Sequence, residues 1–228
     1  MRYLLAIFFI VTLIACNSKK QMKANGYFEG TVEYNSSYAG VDTSMTSMLK
    51  KAFGVRIISY VSEKGYVRRE YIDTNNIIIS TEIYRPDSLK VFYIANNADT
   101  ILCRNITVNT NSKIVKKEKN RKEKILGHTV DLVEVRDDMK STATGKPFII
   151  YSIYYNDTNY LLCPSAYRNV KSSLVENIFS FSPHLTTKYF FQYGEGATIT
   201  STASRIIPST IPVWRFDIPK NKKIVQQN

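Results

Sequence analysis

From Tyr27 onward, apolar and polar residues alternate in short runs. In Tyr27–Tyr34, Phe28, Val32 and Tyr34 fall on one side and Glu29, Thr31 and Glu33 on the other, the period-two pattern of a half-buried strand. Further strands are expected at Val55–Ser62, Tyr66–Ile72, Ile77–Tyr84, Leu89–Ala95, Thr100–Val108, Val130–Arg136, Phe148–Tyr155, Lys188–Tyr193 and Ala197–Ile206. These runs are rich in Ile, Val, Thr, Tyr and Phe, which suit a pleated surface. Turn-forming stretches such as Asp73–Asn76 and Arg85–Ser88 separate them, and the short spacing favours antiparallel hairpins over crossovers. Phe148–Tyr155 is apolar or aromatic on both faces, so it needs cover on both sides.

Two segments carry the helical period instead. In Thr43–Phe53, Met45, Met48, Leu49, Ala52 and Phe53 fall on one stripe; Asp42 or Thr43 can cap the start and Gly54 can close the end. Lys50 and Lys51 sit in the last turn, where they complement the helix dipole. A weaker helix is expected at Leu174–Phe179, with Ser173 and Glu176 as a capping box and Pro183 just beyond.

The composition is that of a globular chain: 228 residues, 44% hydrophobic, 22% charged and 12% aromatic. It argues against disorder, a coiled coil or a multi-span membrane protein. The start of the chain changes the picture most. Met1-Arg2-Tyr3 is a basic n-region, Leu4–Leu13 a short apolar run, and Leu13-Ile14-Ala15-Cys16 follows. That ending resembles the lipobox of bacterial lipoproteins, which implies diacylglycerol on the Cys16 thiol, cleavage just before it and acylation of the new amine. More than one acyl chain makes such an anchor stable. The expected organisation is a signal peptide over 1–15, lipidated Cys16 with a flexible tether over 16–26, a single β-rich domain over 27–219 and a polar tail over 220–228. The expected location is the bacterial cell envelope, lipid-anchored; resemblance to bacterial lipoproteins, some of which mark surface export with acidic residues after the Cys, implies for this basic tether the periplasmic face of the outer membrane. In that oxidising compartment Cys103 and Cys163 either pair or serve as small apolar residues.

The formal net charge of +12 is concentrated in Lys113–Lys124, with seven basic residues and two Glu. The run lies between two expected strands and reads as an exposed hairpin. Its alternatives are a solvated loop or an anionic-surface contact through Lys116, Lys117, Lys119, Arg121 and Lys122. Nucleic acid is not an expected partner, given a secretion signal and no recognition motif.

Catalytic signatures are sparse. Gly194-Glu-Gly196 precedes a strand-like run and has Ile199 where a dinucleotide loop needs its third Gly, so it reads as a turn. Ser47-Met-Leu-Lys50 matches Ser-x-x-Lys, but its Lys-Thr-Gly and Ser-Asp-Asn partners are missing. His128 and His184 lie in turn-like contexts and read as exposed or structural, and Asp137-Asp138 reads as a turn. No catalytic residue, metal ligand or cofactor is therefore assigned.

Four short motifs carry a resemblance: Phe28-Glu-Gly-Thr-Val-Glu-Tyr34 after the lipobox, Lys64-Gly-Tyr-Val-Arg-Arg-Glu70, Ile125-Leu-Gly-His128, and Phe216-Asp-Ile-Pro219. With them the chain resembles the DUF4412-type lipoproteins of Bacteroidetes-like bacteria, which are similar to envelope lipoprotein carriers of the LolA/LolB type. A Cys common after the central Gly-Tyr of those chains is replaced here by Val130 or Asp131. The resemblance implies an α+β fold, a strongly curved antiparallel sheet forming an open half-barrel, with a few helices over its concave face. In the carriers, acyl chains lie between sheet and helices. Met45, Met48, Leu49 and Phe53 would then either line such a ligand site as a lid or simply pack on the sheet.

The leading expectation is a non-enzymatic, lipid-anchored envelope lipoprotein binding an acyl chain or a lipidated protein. The second is an anchored scaffold with a filled core and a protein partner.

Overall fold

The computed structural model describes residues 26–106, 112–140, 147–170, 178–194 and 196–227. The signal segment, Cys16 and most of the tether lie outside them, as does the Ser173–Glu176 capping box. Twelve strands form a single open sheet: β1 (Gly30–Ala39), β2 (Arg56–Val61), β3 (Val67–Ile72), β4 (Ile78–Arg85), β5 (Lys90–Ala95), β6 (Thr100–Asn105), β7 (Ser112–Ile125), β8 (His128–Lys140), β9 (Pro147–Leu161), β10 (His184–Tyr193), β11 (Ala197–Pro208) and β12 (Lys223–Gln227). Their spatial order is β12-β6-β5-β4-β3-β2-β1-β11-β10-β9-β8-β7. β1 therefore sits between two meanders, one running outward through β2–β6 and one through β11–β7. Neighbours are antiparallel except β12, which lies parallel to β6.

The expected α+β architecture with a few helices over the sheet is overturned. The chain is mostly strand, and α1 (Thr43–Phe53) is the one helix of several turns among the described residues. Residues 178–181 are also helical, while most of the expected Leu174–Phe179 helix lies outside the described residues. Two segments not expected as single strands are strands. The charge run Lys113–Lys124, expected as an exposed hairpin, is β7, an edge strand whose lysines discourage further strand addition. The polar tail contains β12, every residue of which is exposed. Asp137-Asp138 is likewise inside β8 rather than in a turn.

α1 forms where the period predicts it. The Asp42 carboxylate accepts the Met45 N–H at 2.8 Å. Gly54 ends the helix at φ 66°, where a Cβ would collide with the backbone of Ile72, so glycine is required there.

Register divides the sheet into two faces. The inner face carries Val32, Tyr34, Ile57, Val61, Val67, Tyr84 and Val91 across β1–β5. At one end it is covered by residues 160–170, with the Tyr84 and Tyr167 rings stacked at 5.4 Å and the Tyr84 hydroxyl donating to the Ala166 carbonyl at 2.7 Å. At the other end Leu49 of α1 packs on Ala197 and Ile199 of β11. The outer face of β4–β6 carries Ile83, Phe92, Ile94, Ile101 and Cys103, and Ile218 of a C-terminal strap lies across them. Both faces of this half are thus buried, which explains its near-continuous apolar runs.

Candidate functional site

A cross-strand row runs over the middle of the inner face: Ser59 on β2 opposes Arg69 on β3, Arg69 opposes Glu82 on β4, and Glu82 opposes Tyr93 on β5. Directly opposed side chains lie close enough to interact, and Arg69 Nη1 meets Glu82 Oε1 at 2.6 Å. Tyrosines surround this pair. Tyr71 and Tyr93 share the inner face with it on β3 and β5. Tyr34 of β1 and Tyr189 of β10 stand two strands apart in the sheet order, yet their rings lie 5.7 Å apart. In a flat sheet that spacing would be ~9.6 Å, so the sheet curls here and gathers the tyrosines into a cup.

The walls of the cup are held by ring contacts. Tyr34 and Tyr189 lie 5.7 Å apart, Tyr189 and Phe191 5.5 Å, and Tyr154 and Phe191 5.8 Å, all in tilted or edge-to-face arrangements. The Tyr34 hydroxyl donates to the Thr186 carbonyl at 2.7 Å. Burial raises the pKa of these phenols; for Tyr93, burial and then the Glu82 charge push it up to about 12. They stay protonated at neutral pH and offer O–H donors beside apolar ring faces. Loss of part of its water works against the half-exposed Arg69 cation, but Glu82 and then the neighbouring tyrosines outweigh it and hold the guanidinium charged.

Between this row and α1 lies a cavity of about 300 Å³, lined among others by Ala52 and Phe53 of α1 and by Tyr71, Glu82, Tyr93 and Leu102 of the sheet. Phe53 and Tyr71 meet edge-to-face at 5.9 Å at its rim. The volume is at the lower end of the range for small-molecule sites, and its walls are mainly apolar with one carboxylate.

The four α1 residues take different positions. Leu49 is buried, Met45 and Phe53 are half-buried, and Met48 is 60% exposed, pointing away from the sheet. Of these four, Phe53 lines the cavity beside α1 and Met48 does not. The Ser47–Lys50 pair lies on the exposed side of α1. Cys103 and Cys163 are free thiols on opposite faces of the sheet, Cys103 beneath the outer strap and Cys163 beside the inner cover, and they are not paired in this structure.

The basic run is largely engaged internally. Lys119 reaches the buried Asp131 carboxylate at 2.9 Å and lies 4.3 Å from the Phe181 ring centre; Lys117 approaches the same ring at 5.3 Å. Lys116 pairs with Glu118, and Arg121 with Glu118 and Glu123. Lys122 is exposed. Sequence alternation failed here because the bulges in β7 break its period.

The two histidines, 56 positions apart, each meet a buried carboxylate or its partner near the start of β8, in two separate groups. His128 Nδ1 lies 2.6 Å from Asp157 Oδ2, and His184 Nδ1 lies 3.1 Å from the Ser182 hydroxyl. Ser182 is fully buried and donates its proton to Asp131 at 2.9 Å, so it is a structural hydroxyl rather than a nucleophile. Among the described residues, no group of three or more His, Cys, Asp or Glu is placed to hold a metal ion.

Sequence reasoning missed Arg69 and Glu82. The signal was present: on β3, Arg69 shares the parity of Val67 and Tyr71, an inward position that normally excludes charge. Glu82→Ala is expected to lower the unfolding free energy by about 1 kcal/mol, because the cup then holds an uncompensated cation. The loss stays below that of a wholly buried pair because Arg69 is 43% exposed and water screens it. A double Arg69→Leu, Glu82→Leu variant should recover that loss in urea denaturation; no recovery would show that the pair has another structural role.

No family profile matches the chain, and no curated protein matches its sequence.

Proposed function

We propose that this chain is a lipid-anchored lipoprotein of the bacterial envelope, facing the periplasm, that binds a hydrophobic ligand without transforming it. The ligand is an acyl chain or the lipid of a lipidated protein. The observation that carries this reading is the cavity of about 300 Å³ between α1 and the tyrosine cup, with Phe53, Tyr71, Tyr93 and Leu102 on its walls. Each methylene taken out of water contributes ~0.8 kcal/mol, so a medium chain supplies enough driving force for micromolar affinity after ordering losses. The lipid anchor rests on the Leu13–Cys16 motif.

The test is a fluorescent fatty-acid titration with two α1 variants. Phe53→Glu places a charge against the cavity and should weaken binding at least ~10-fold, or ~1.4 kcal/mol. Met48→Glu changes an outward-facing residue and should stay within about twofold of wild type. Circular dichroism checks that both variants fold. Equal weakening by both would place the ligand elsewhere. Absence of saturable binding by the folded wild type would favour the second reading, an anchored scaffold. That reading is supported by the open β12 edge, where Ile224 and Val225 are exposed.

A further inference from the structure

The C-terminal strap, residues 209–222, buries Ile211 and Phe216 and leaves the residues between them largely exposed. Phe216 packs against Tyr66 with ring centres 5.8 Å apart, and Ile218 covers the outer cluster. Just before them, Val213 is 82% exposed and Trp214 63% exposed. They sit on a short 3-10 turn, Val213–Phe216, whose backbone is held by Arg68 donating to the Arg215 carbonyl at 3.2 Å. The Arg215 guanidinium lies 4.3 Å from the Tyr60 ring centre and 5.2 Å from that of Trp214. A rigid support thus presents two large apolar side chains to solvent. Nothing in the core requires this, since Trp normally buries its large surface.

We infer that the Val213–Trp214 protrusion, with exposed Leu126 at the same end of the sheet, is a membrane-contacting tip that enters the headgroup–acyl boundary of an anionic phospholipid bilayer.

Three observations select a bilayer as the occupant. The first is where the chain enters the domain. Ser209 N–H donates to the Glu29 carbonyl at 3.1 Å and Ile211 N–H to the Glu29 carboxylate at 2.9 Å, so the strap begins beside the first strand. Gly26 is ten positions from Cys16, which limits the reach between domain and anchor to ~35 Å. The second is strand polarity. Pro208 at the end of β11 pairs with Gly30 at the start of β1, and Asp157 pairs with both Val130 near the start of β8 and Leu185 near the start of β10. The β7–β8 turn bearing Leu126, 44% exposed, therefore projects from the same end as the strap.

The third is charge. Lys64, Lys124 and Arg168 are exposed at this end, and Arg215 stands beside the tip, whereas Asp87 is already paired with Arg85, and Glu29, Glu63 and the exposed Asp217 offset only part of the excess. Apolar tips flanked by cations suit an anionic interface, where each basic residue near the surface contributes ~1 kcal/mol. α1 lies at the opposite end of β1, ten residues or ~33 Å away, so this orientation turns the ligand cavity toward the aqueous space.

The inference uses the lipid-anchor reading only to bring the tip to the bilayer, and the experiment separates the two. Trp214 is the sole tryptophan of the chain, so its emission needs no assignment. Protein purified from membranes is reconstituted into vesicles of phosphatidylethanolamine and phosphatidylglycerol, with or without bromine on the acyl chains. The expected result is blue-shifted emission and at least about twofold quenching by the brominated lipid. A Trp214→Phe, Met48→Trp variant moves the sole tryptophan to the exposed side of α1 and should escape quenching. Water-like, unquenched Trp214 emission would overturn the inference, as would stronger quenching at position 48. The intact mass of the same sample reports whether Cys16 carries lipid. If it does not, the anchor reading falls, and vesicles added to the unlipidated protein at low ionic strength still decide the tip by the same quenching.

Discussion

Asp131→Ala is expected to lower the unfolding free energy by about 3 kcal/mol near pH 7. The Asp131 side chain is almost fully buried and accepts from the Asn120 N–H at 3.0 Å, the Lys119 ammonium at 2.9 Å and the Ser182 hydroxyl at 2.9 Å. Alanine leaves the Asn120 N–H without its carboxylate and the fully buried Ser182 hydroxyl with His184 alone, and losing the partner of a buried polar group costs about 1–3 kcal/mol. Lys119 is half-exposed and can turn to water, which limits its share. Burial alone would raise the Asp131 pKa, but the Asn120 N–H, Lys119 and Ser182 outweigh it and hold the carboxyl below its ordinary value. A carboxylate depressed in the fold stabilises fully above its unfolded pKa and loses that contribution as pH falls through the folded value. The difference between wild type and Asp131→Ala should therefore shrink below about pH 4.

His184 adds to the same acid sensitivity. Burial, aided by Lys119 and opposed by Asp131 and Asp157, holds its pKa below the ordinary 6.5. The fold favours the neutral ring, so its contribution is present above the unfolded pKa and is lost as pH falls below it. Guanidinium denaturation of both proteins near neutrality and near pH 3 reads both effects. A difference under about 1 kcal/mol at neutral pH, or one unchanged on acidification, would contradict this account.

Phe216→Ala should destabilise by about 3–5 kcal/mol, the range for deleting a buried aromatic side chain. Phe216 is 3% exposed, and the residues that follow it lay Ile218 over Ile83, Phe92, Ile94, Ile101 and Cys103 before the chain adds β12 to the sheet. Loosening the strap should therefore expose Cys103, which is 1% accessible. In a Cys163→Ser background, thiol labelling of Cys103 should accelerate in Phe216→Ala and stay at the wild-type rate in Trp214→Ala, whose side chain is largely in solvent. Equal stability and labelling of wild type and Phe216→Ala would mean that the strap does not hold the outer face.

Much of this architecture is legible in the chain. α1 has the bounds that its stripe and caps predict, because an Asx cap, a 3.6-residue period and a terminal glycine are all local properties. β2–β5 fall within a residue of their alternating runs, since hairpin turns with Asp, Asn and Gly set them apart. β7 was hidden because an edge strand needs only one satisfied partner and can carry charge on both faces. β12 was hidden because its five residues have no buried position to betray them. The α+β expectation failed for a related reason. Irregular and 3-10 segments at 162–170 and 216–218 cover the sheet where helices were expected, and such cover has no period to read.

The candidate site divides the same way. Parity along β3 and β4 places Arg69 and Glu82 on the apolar face, and that much is in the sequence. The chain by itself also determines the lipobox-like start, the single long helix and the order of hairpins, because each depends on neighbours a few residues apart. Only the tertiary structure decides that the sheet curls far enough for Tyr34 to meet Tyr189 across β11, that α1 leaves a cavity beside Phe53, and that Cys103 and Cys163 lie on opposite faces of the sheet. These facts depend on strand order and on accumulated twist over many strands, which no local pattern specifies.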